Sequence, residues 1–155
     1  MHTRLNVPHF KQEKWHTCGP ACLRMLLAYF DVIVSEEELE EACGTTELGT
    51  TPIQISGGAS KFGMDALAIR NAGIEDLKTN LEKGLPIIVL IDPSPIYGGI
   101  AGFGHFILVV GTENNEVIYH DPGISDGDFR RCEVEKFLKA WHIFKNWMIH
   151  ASEDN

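Results

Sequence analysis

Residues 18 to 30, CGPACLRMLLAYF, are apolar at nearly every position apart from Arg24. An apolar surface on all sides suits a helix buried all round, in the middle of a domain rather than at its edge. Pro20 fits the first turn of such a helix, where a missing N–H costs little. Cys18 therefore stands at its amino end. The segment SEEELEEAC, with Ser35 and Glu38 at capping-box spacing and Gly44 as a stop, predicts a short acidic helix with a solvated face. Thr51-Pro52 opens a third helix to about residue 61, with Gly57-Gly58 as a weak spot. A short strand at 66–69, a helix at 75–83 ended by Gly84 and a continuously apolar strand at 86–91 follow. The runs FILVVG (106–111) and VIYHD (117–121), joined by the polar TENNE, predict an antiparallel hairpin. A helix over 134–141 and a strand over 144–149 complete the pattern. Helices followed by an antiparallel sheet point to an α+β fold, with the central helix packed on the sheet.

Length and composition narrow the setting. A chain of 155 residues, 44% of them hydrophobic, is expected to form one domain over 1–155. Its 22 acidic and 13 basic side chains give a net charge of −9, which argues against a nucleic-acid or anionic-membrane partner. The opening MHTRLNVPHF lacks the apolar stretch of an export signal, and the longest apolar run, 85–91, is far too short to cross a bilayer. Four cysteines in a core of this size need not pair, so free thiols and a cytoplasmic setting are expected. The glycine-rich SPIYGGIAGFG (94–104) reads either as a loop that approaches a ligand or closes as a lid, or as a plain flexible connection.

Candidate chemistry concentrates at a few positions. A thiol is a nucleophile only as thiolate, and the N–H groups and dipole at a helix amino terminus lower its pKa. Cys18 has that placement. Cys22, one turn further in, reads as a small core residue, and Cys43 and Cys132 read as structural. A base must be held rigidly, and His105 opens the strand HFILVV, whose two faces are otherwise apolar. Asp121 shares a face with Val117 and Tyr119, opposite His120, and hairpin pairing brings it within a residue or two of His105. A His–Asp pair would fix the ring tautomer and stabilise imidazolium beside a thiolate. Gln12, six residues before Cys18, could join the Cys18 N–H in stabilising an oxyanion. A zinc site at His16, Cys18 and Cys22 lacks the second set of ligands that a closed tetrahedral site needs.

The blocks QEKWHTCGPACLRMLLAYF, GHFILVVG and VIYHDPG resemble the three signature segments of the C39 and C39-like peptidases, which are papain-like cysteine peptidases. That pattern has a glutamine six residues before a Cys-Gly-Pro at a helix start, a Gly-His opening a buried strand and an Asp-Pro ending the next. Gln12, Cys18, His105 and Asp121 fall on those positions. GTTPIQISGGASKFGMDA and LEKGLPIIVLI extend the resemblance over most of residues 7–123. It implies a papain-like fold and hydrolysis of a peptide or amide substrate through a thioester acyl-enzyme, with no cofactor or metal. Two other readings share the site: a peptide-binding domain without turnover, and acyl transfer to an amine or thiol. These residues contain no counterpart of the membrane and ATPase regions of the bacteriocin-exporting members, so a stand-alone domain is expected, and no residue signals cleavage after a double glycine. Thr17 stands where exporter peptidases often carry an acid, and Asp31 where a glycine often follows the helix.

Overall fold

The structure, a computed structural model, describes residues 3–153. Its elements in chain order are β1 (Thr3–Arg4), α1 (Cys18–Tyr29), α2 (Glu36–Cys43), α3 (Pro52–Ser60), β2 (Met64–Ile69), α4 (Ile74–Glu82) and β3 (Ile87–Ile91). They continue as α5 (Ser94–Tyr97), β4 (His105–Glu113), β5 (Glu116–His120), β6 (Arg130–Glu133), α6 (Val134–His142) and β7 (Met148–Glu153). The strands form an antiparallel sheet in the order β2-β7-β3-β4-β5-β6, and β1 pairs with β4 at Gly111 and Thr112, beyond the end of β3. The fold is the α+β arrangement expected from the order of elements.

Alternation along the central strands explains the layering. Phe106, Leu108 and Val110 of β4 face one side with Ile88, Ile118 and Ile149, and join a core with Leu23, Leu26 and Leu27 of α1, Leu39 of α2 and Ile55 of α3. Ile107 and Val109 face the other side with Ile87, Val89, Val117 and Tyr119, against Leu77 and Leu81 of α4 and Phe137 and Trp141 of α6. The sheet is thus covered on both faces, as the two apolar faces of HFILVV require, although the sequence assigns a covering helix to only one of them. The side chains of α1 from Ala21 to Leu23 and from Met25 to Leu27 are wholly buried between the sheet and the neighbouring helices, as its all-round apolar pattern requires. Burying each large side chain contributes roughly 1.5–3 kcal/mol, so the helix that begins at Cys18 is among the most firmly held parts of the chain. Gly19 allows α3 to approach its first turn: a Cβ there would lie 3.1 Å from Ile55 and 3.2 Å from the Thr50 hydroxyl.

Three local differences from the sequence reading have physical causes. The last strand begins at Met148 rather than at 144, because Lys145 and Asn146 adopt left-handed conformations with φ of 73° and 53°, which breaks an extended run. β1 and β6 are too short for alternation to reveal. The 94–104 segment is anchored rather than a free connection: it opens with the single helical turn α5, and both its ends are held by Asp92, whose carboxylate accepts from the Ser94 N–H (2.9 Å) and the Gly102 N–H (2.7 Å). Burying a carboxylate is favourable only where such donors meet it, and Asp92 is 1% exposed.

Candidate active site

Cys18 is the first residue of α1, partly buried at the edge of the core. Burial alone would raise its pKa. Hydrogen bonding to His105, the charge of that ring and the N–H groups of Phe106 and Gly19 outweigh burial and hold the thiol below its ordinary value. The other three cysteines behave oppositely: burial pushes Cys22 well up, Cys43 to about 11 and Cys132 to about 12. All four are free thiols. Cys18 is the one whose surroundings favour thiolate.

The partner of Cys18 arises from the hairpin. Leu108 pairs with His120 and Val109 with Tyr119, and a bulge between Val109 and Gly111 adds twist to β4. Asp121, just past β5, consequently reaches the first residue of β4, and its Oδ1 lies 2.7 Å from His105 Nε2. Nδ1 of the ring is left for the thiol. Burial opposes charge on His105, but the Asp121 carboxylate and Cys18 push its pKa up to about 10. Burial likewise works against ionising Asp121, and His105 with the other donors keeps it below the usual carboxylate range. Asp121, 2% exposed, accepts from the Gly123 N–H (2.8 Å) at Oδ1 and from the Tyr97 hydroxyl (2.9 Å) at Oδ2. Tyr97 also meets the Tyr119 hydroxyl at 2.6 Å, so with Tyr97 donating to Asp121, Tyr119 donates to Tyr97. His120 faces away: its Nε2 donates to Val7 O (2.7 Å) and its Nδ1 accepts from the Phe129 N–H (3.0 Å), a neutral structural histidine.

Gln12 lies in the loop leading to Cys18, beside His105 and Gly123 in a cavity of about 450 Å³. This loop is tied to the Asp121 segment by the His9 ring donating to Asp121 O (2.8 Å) and by the Gln12 N–H donating to Pro122 O (2.7 Å). The Gln12 amide nitrogen donates to Lys14 O (2.8 Å) and Trp15 O (3.1 Å), so an oxyanion must displace one of these bonds to receive it. Gln12 Oε1 and His16 Nδ1 are buried polar atoms without a partner, both in this segment.

The structure therefore brings Cys18, Asp121 and Gln12 around the His105 ring. The sequence of residues 4–149 matches the model of the peptidase C39-like family. The chain belongs to the C39-like peptidase family. It is 29% identical over 133 residues to the Lactococcus lactis lactococcin-G-processing and transport ATP-binding protein LagD, covering 84% of this chain but only 17% of that protein. Its fold is similar to that of a Bacillus anthracis protein described as a C39-like peptidase, with a TM-score of 0.84, 18% identity and coverage of 100% and 99% of the two chains. The peptidase domain of Streptococcus ComA, from a bifunctional ABC transporter of a quorum-sensing pathway, gives a TM-score of 0.77 at 26% identity over 94% of this chain and 97% of that one.

One residue of this C39-like site runs against the sequence reading. α2 was expected to present a solvated acidic face, yet Glu36 is 1% exposed. Its carboxylate accepts from the Glu13 N–H (2.9 Å) and the Thr17 hydroxyl (3.1 Å), clamping the loop that carries Gln12 into Cys18. Burial raises its pKa despite those donors. In SEEELEEAC nothing distinguishes the first glutamate from its solvated neighbours, since its burial depends on a loop about twenty positions away. Tyr97 was equally hidden inside a glycine-rich segment, although a tyrosine among glycines is itself a sign of an anchored loop.

Proposed function

We propose that this C39-like chain is a cysteine peptidase or amidase acting as a single domain over 1–155. Cys18 is the nucleophile, His105 the base and Asp121 the residue that orients and charges the ring. The observation that carries this reading is the His105–Asp121 contact beside the one thiol whose pKa is lowered. The thiolate attacks an amide carbonyl, the imidazolium protonates the departing nitrogen, and water then hydrolyses the thioester. The Cys18 N–H and Gln12 supply the oxyanion donors once Gln12 gives up one of its loop bonds. A peptide substrate is supported by family membership, and a cytoplasmic setting by the free thiols. Among the described residues no helix is long and apolar enough to cross a membrane. A second reading, a groove that binds peptide without turnover, is favoured by one observation, the engagement of both Gln12 donors by Lys14 and Trp15.

Incubating a peptide library with wild type and Cys18→Ala, with product identification by mass spectrometry, separates the readings. Products from wild type alone support the peptidase. Equal peptide retention by both proteins, with no product at long times, refutes it in favour of the binding module.

A further inference from the structure

A cysteine peptidase must deliver a proton to its leaving group. In the acyl-forming step the Cys18 sulfur bonds to the carbonyl carbon and the C–N bond breaks. The proton on His105 goes to the departing nitrogen, leaving a thioester and a free amine. The departing half of the substrate therefore lies over His105. Besides the cavity that holds Gln12, a second cavity of about 420 Å³ borders His105, lined by Pro93, Tyr97, Phe103, Gly123 and Ile124.

This cavity differs in chemistry from the one on the Gln12 side, whose lining includes Lys11, Glu13 and Lys14. Its charged lining groups are Asp121 and His105, which pair with each other, and the remaining acceptor capacity of the carboxylate is engaged by Gly123 and Tyr97. Phe103 is 67% exposed and Ile100, three residues earlier, 81% exposed, so the glycine-rich segment displays large apolar groups to water at the edge of the cleft. The same segment is held at both ends by Asp92 and in its first turn by the Tyr97–Asp121 bond. Apolar side chains presented on an anchored loop beside a reacting centre form a pocket whose shape is set before the substrate arrives.

We propose that this cavity receives the side chain of the first residue of the departing half and selects a bulky apolar one, such as leucine or phenylalanine. The inference rests on the peptidase reading for the direction of the substrate. Gly123 is the floor: a Cβ there would lie 3.3 Å from His105 Cε1 and 3.2 Å from Asp121 Oδ1, so a larger residue would crowd the His–Asp pair and fill the pocket beside it. Phe103 and Ile124 are the walls, and they touch substrate without taking part in the proton transfer.

Two measurements test this. In the peptide library, wild type is expected to favour Leu, Met or Phe over Gly or Asp directly after the scissile bond by about tenfold or more in kcat/KM, the scale on which an apolar pocket discriminates. Phe103→Ala should reduce that ratio severalfold and Phe103→Asp should abolish it. In parallel, NMR titration of the Cys18→Ala protein with leucinamide, a mimic of the departing half, should shift the amides of Gly104, Gly123 and Ile124, and glycinamide should not. Cleavage with no preference at this position, or a preference untouched by both Phe103 variants, overturns the subsite while the peptidase reading stands. If nothing is cleaved but leucinamide maps to this cavity and Phe103→Ala weakens it, the peptidase reading fails and the apolar site survives. If leucinamide shifts other residues, or acts no differently from glycinamide, the site itself is refuted.

Discussion

Replacing Asp121 by asparagine removes a charge and little else. Asparagine Oδ1 can still accept from the His105 ring and from the Gly123 N–H, the contacts of 2.7 and 2.8 Å in the wild type. Its Nδ2 would face the Tyr97 hydroxyl, which can turn to donate to Tyr119 at 2.6 Å instead. The loss is therefore concentrated in the charge-assisted bond to imidazolium. Such bonds contribute about 1.5–3 kcal/mol, which at 1.36 kcal/mol per unit amounts to a fall of about 1 to 2 units in the His105 pKa. The sign follows from which form is stabilised. In the wild type Asp121 and Cys18 raise His105 to about 10, so the ring stays protonated through neutral pH and loses its proton only in the alkaline range. In Asp121→Asn the alkaline limb of activity moves down by that amount, whereas the acid limb, set by the Cys18 thiol, moves little. The assay is NMR titration of the His105 Cε1–H in both proteins, supported by the pH profile of kcat/KM. An alkaline midpoint that stays within about 0.3 unit of wild type, roughly a seventh to a third of the shift expected for an ionic bond, would refute the assignment of Asp121 as the counter-charge.

Other perturbations have equally definite outcomes. Gln12→Ala is expected to lower turnover by about 10²–10³ while leaving the iodoacetamide alkylation rate of Cys18 unchanged, since alkylation forms no oxyanion; equal effects on both rates would remove Gln12 from the oxyanion site. Gly123→Ala places a Cβ 3.2 Å from Asp121 Oδ1 and 3.3 Å from the His105 ring. A displacement of a few tenths of an ångström there should cost about tenfold in kcat/KM with the melting temperature little altered, and full activity would contradict the close packing. Glu36→Ala should destabilise by about 1–3 kcal/mol, because the Glu13 N–H loses its acceptor inside the protein, and Glu36→Gln, which can still accept from it, by less. Since burial raises the Glu36 pKa, the folded chain holds that proton to higher pH than the unfolded chain. Wild-type stability relative to Glu36→Gln should therefore fall as pH rises through the interval above the ordinary glutamate range. Paired denaturation curves across that interval check it, and a rise with pH would mean that the clamp favours ionisation.

The parts of this site that could be read in the sequence are those governed by local rules. Pro20 and a run that is apolar apart from Arg24 mark a buried helix start, which places Cys18. Two apolar faces on HFILVV and the spacing of Val117, Tyr119 and Asp121 place the His–Asp pair to within the slip that the Val109/Gly111 bulge introduces. What stayed hidden depends on contacts between distant segments. Glu36 sits in a run of acids and becomes buried only because the loop at 13–17 folds over it. The Gln12 amide nitrogen turns back onto Lys14 and Trp15, a feature of loop conformation with no periodic signature. Coverage of the second sheet face by α4 and α6 is likewise a tertiary outcome, although the double-sided apolar character of β4 required some such cover.

Hydrolysis by Cys18 requires a covalent acyl intermediate that water then resolves. Acid quenching of the enzyme during turnover of a peptide that it cleaves, in water enriched in ¹⁸O, tests it directly by intact-protein and product mass spectrometry. An acyl adduct on Cys18, absent from Cys18→Ala, and one ¹⁸O in the new carboxylate of the product are expected. Cleavage that persists in Cys18→Ala, or products formed with no adduct on Cys18 under any quench, would contradict it.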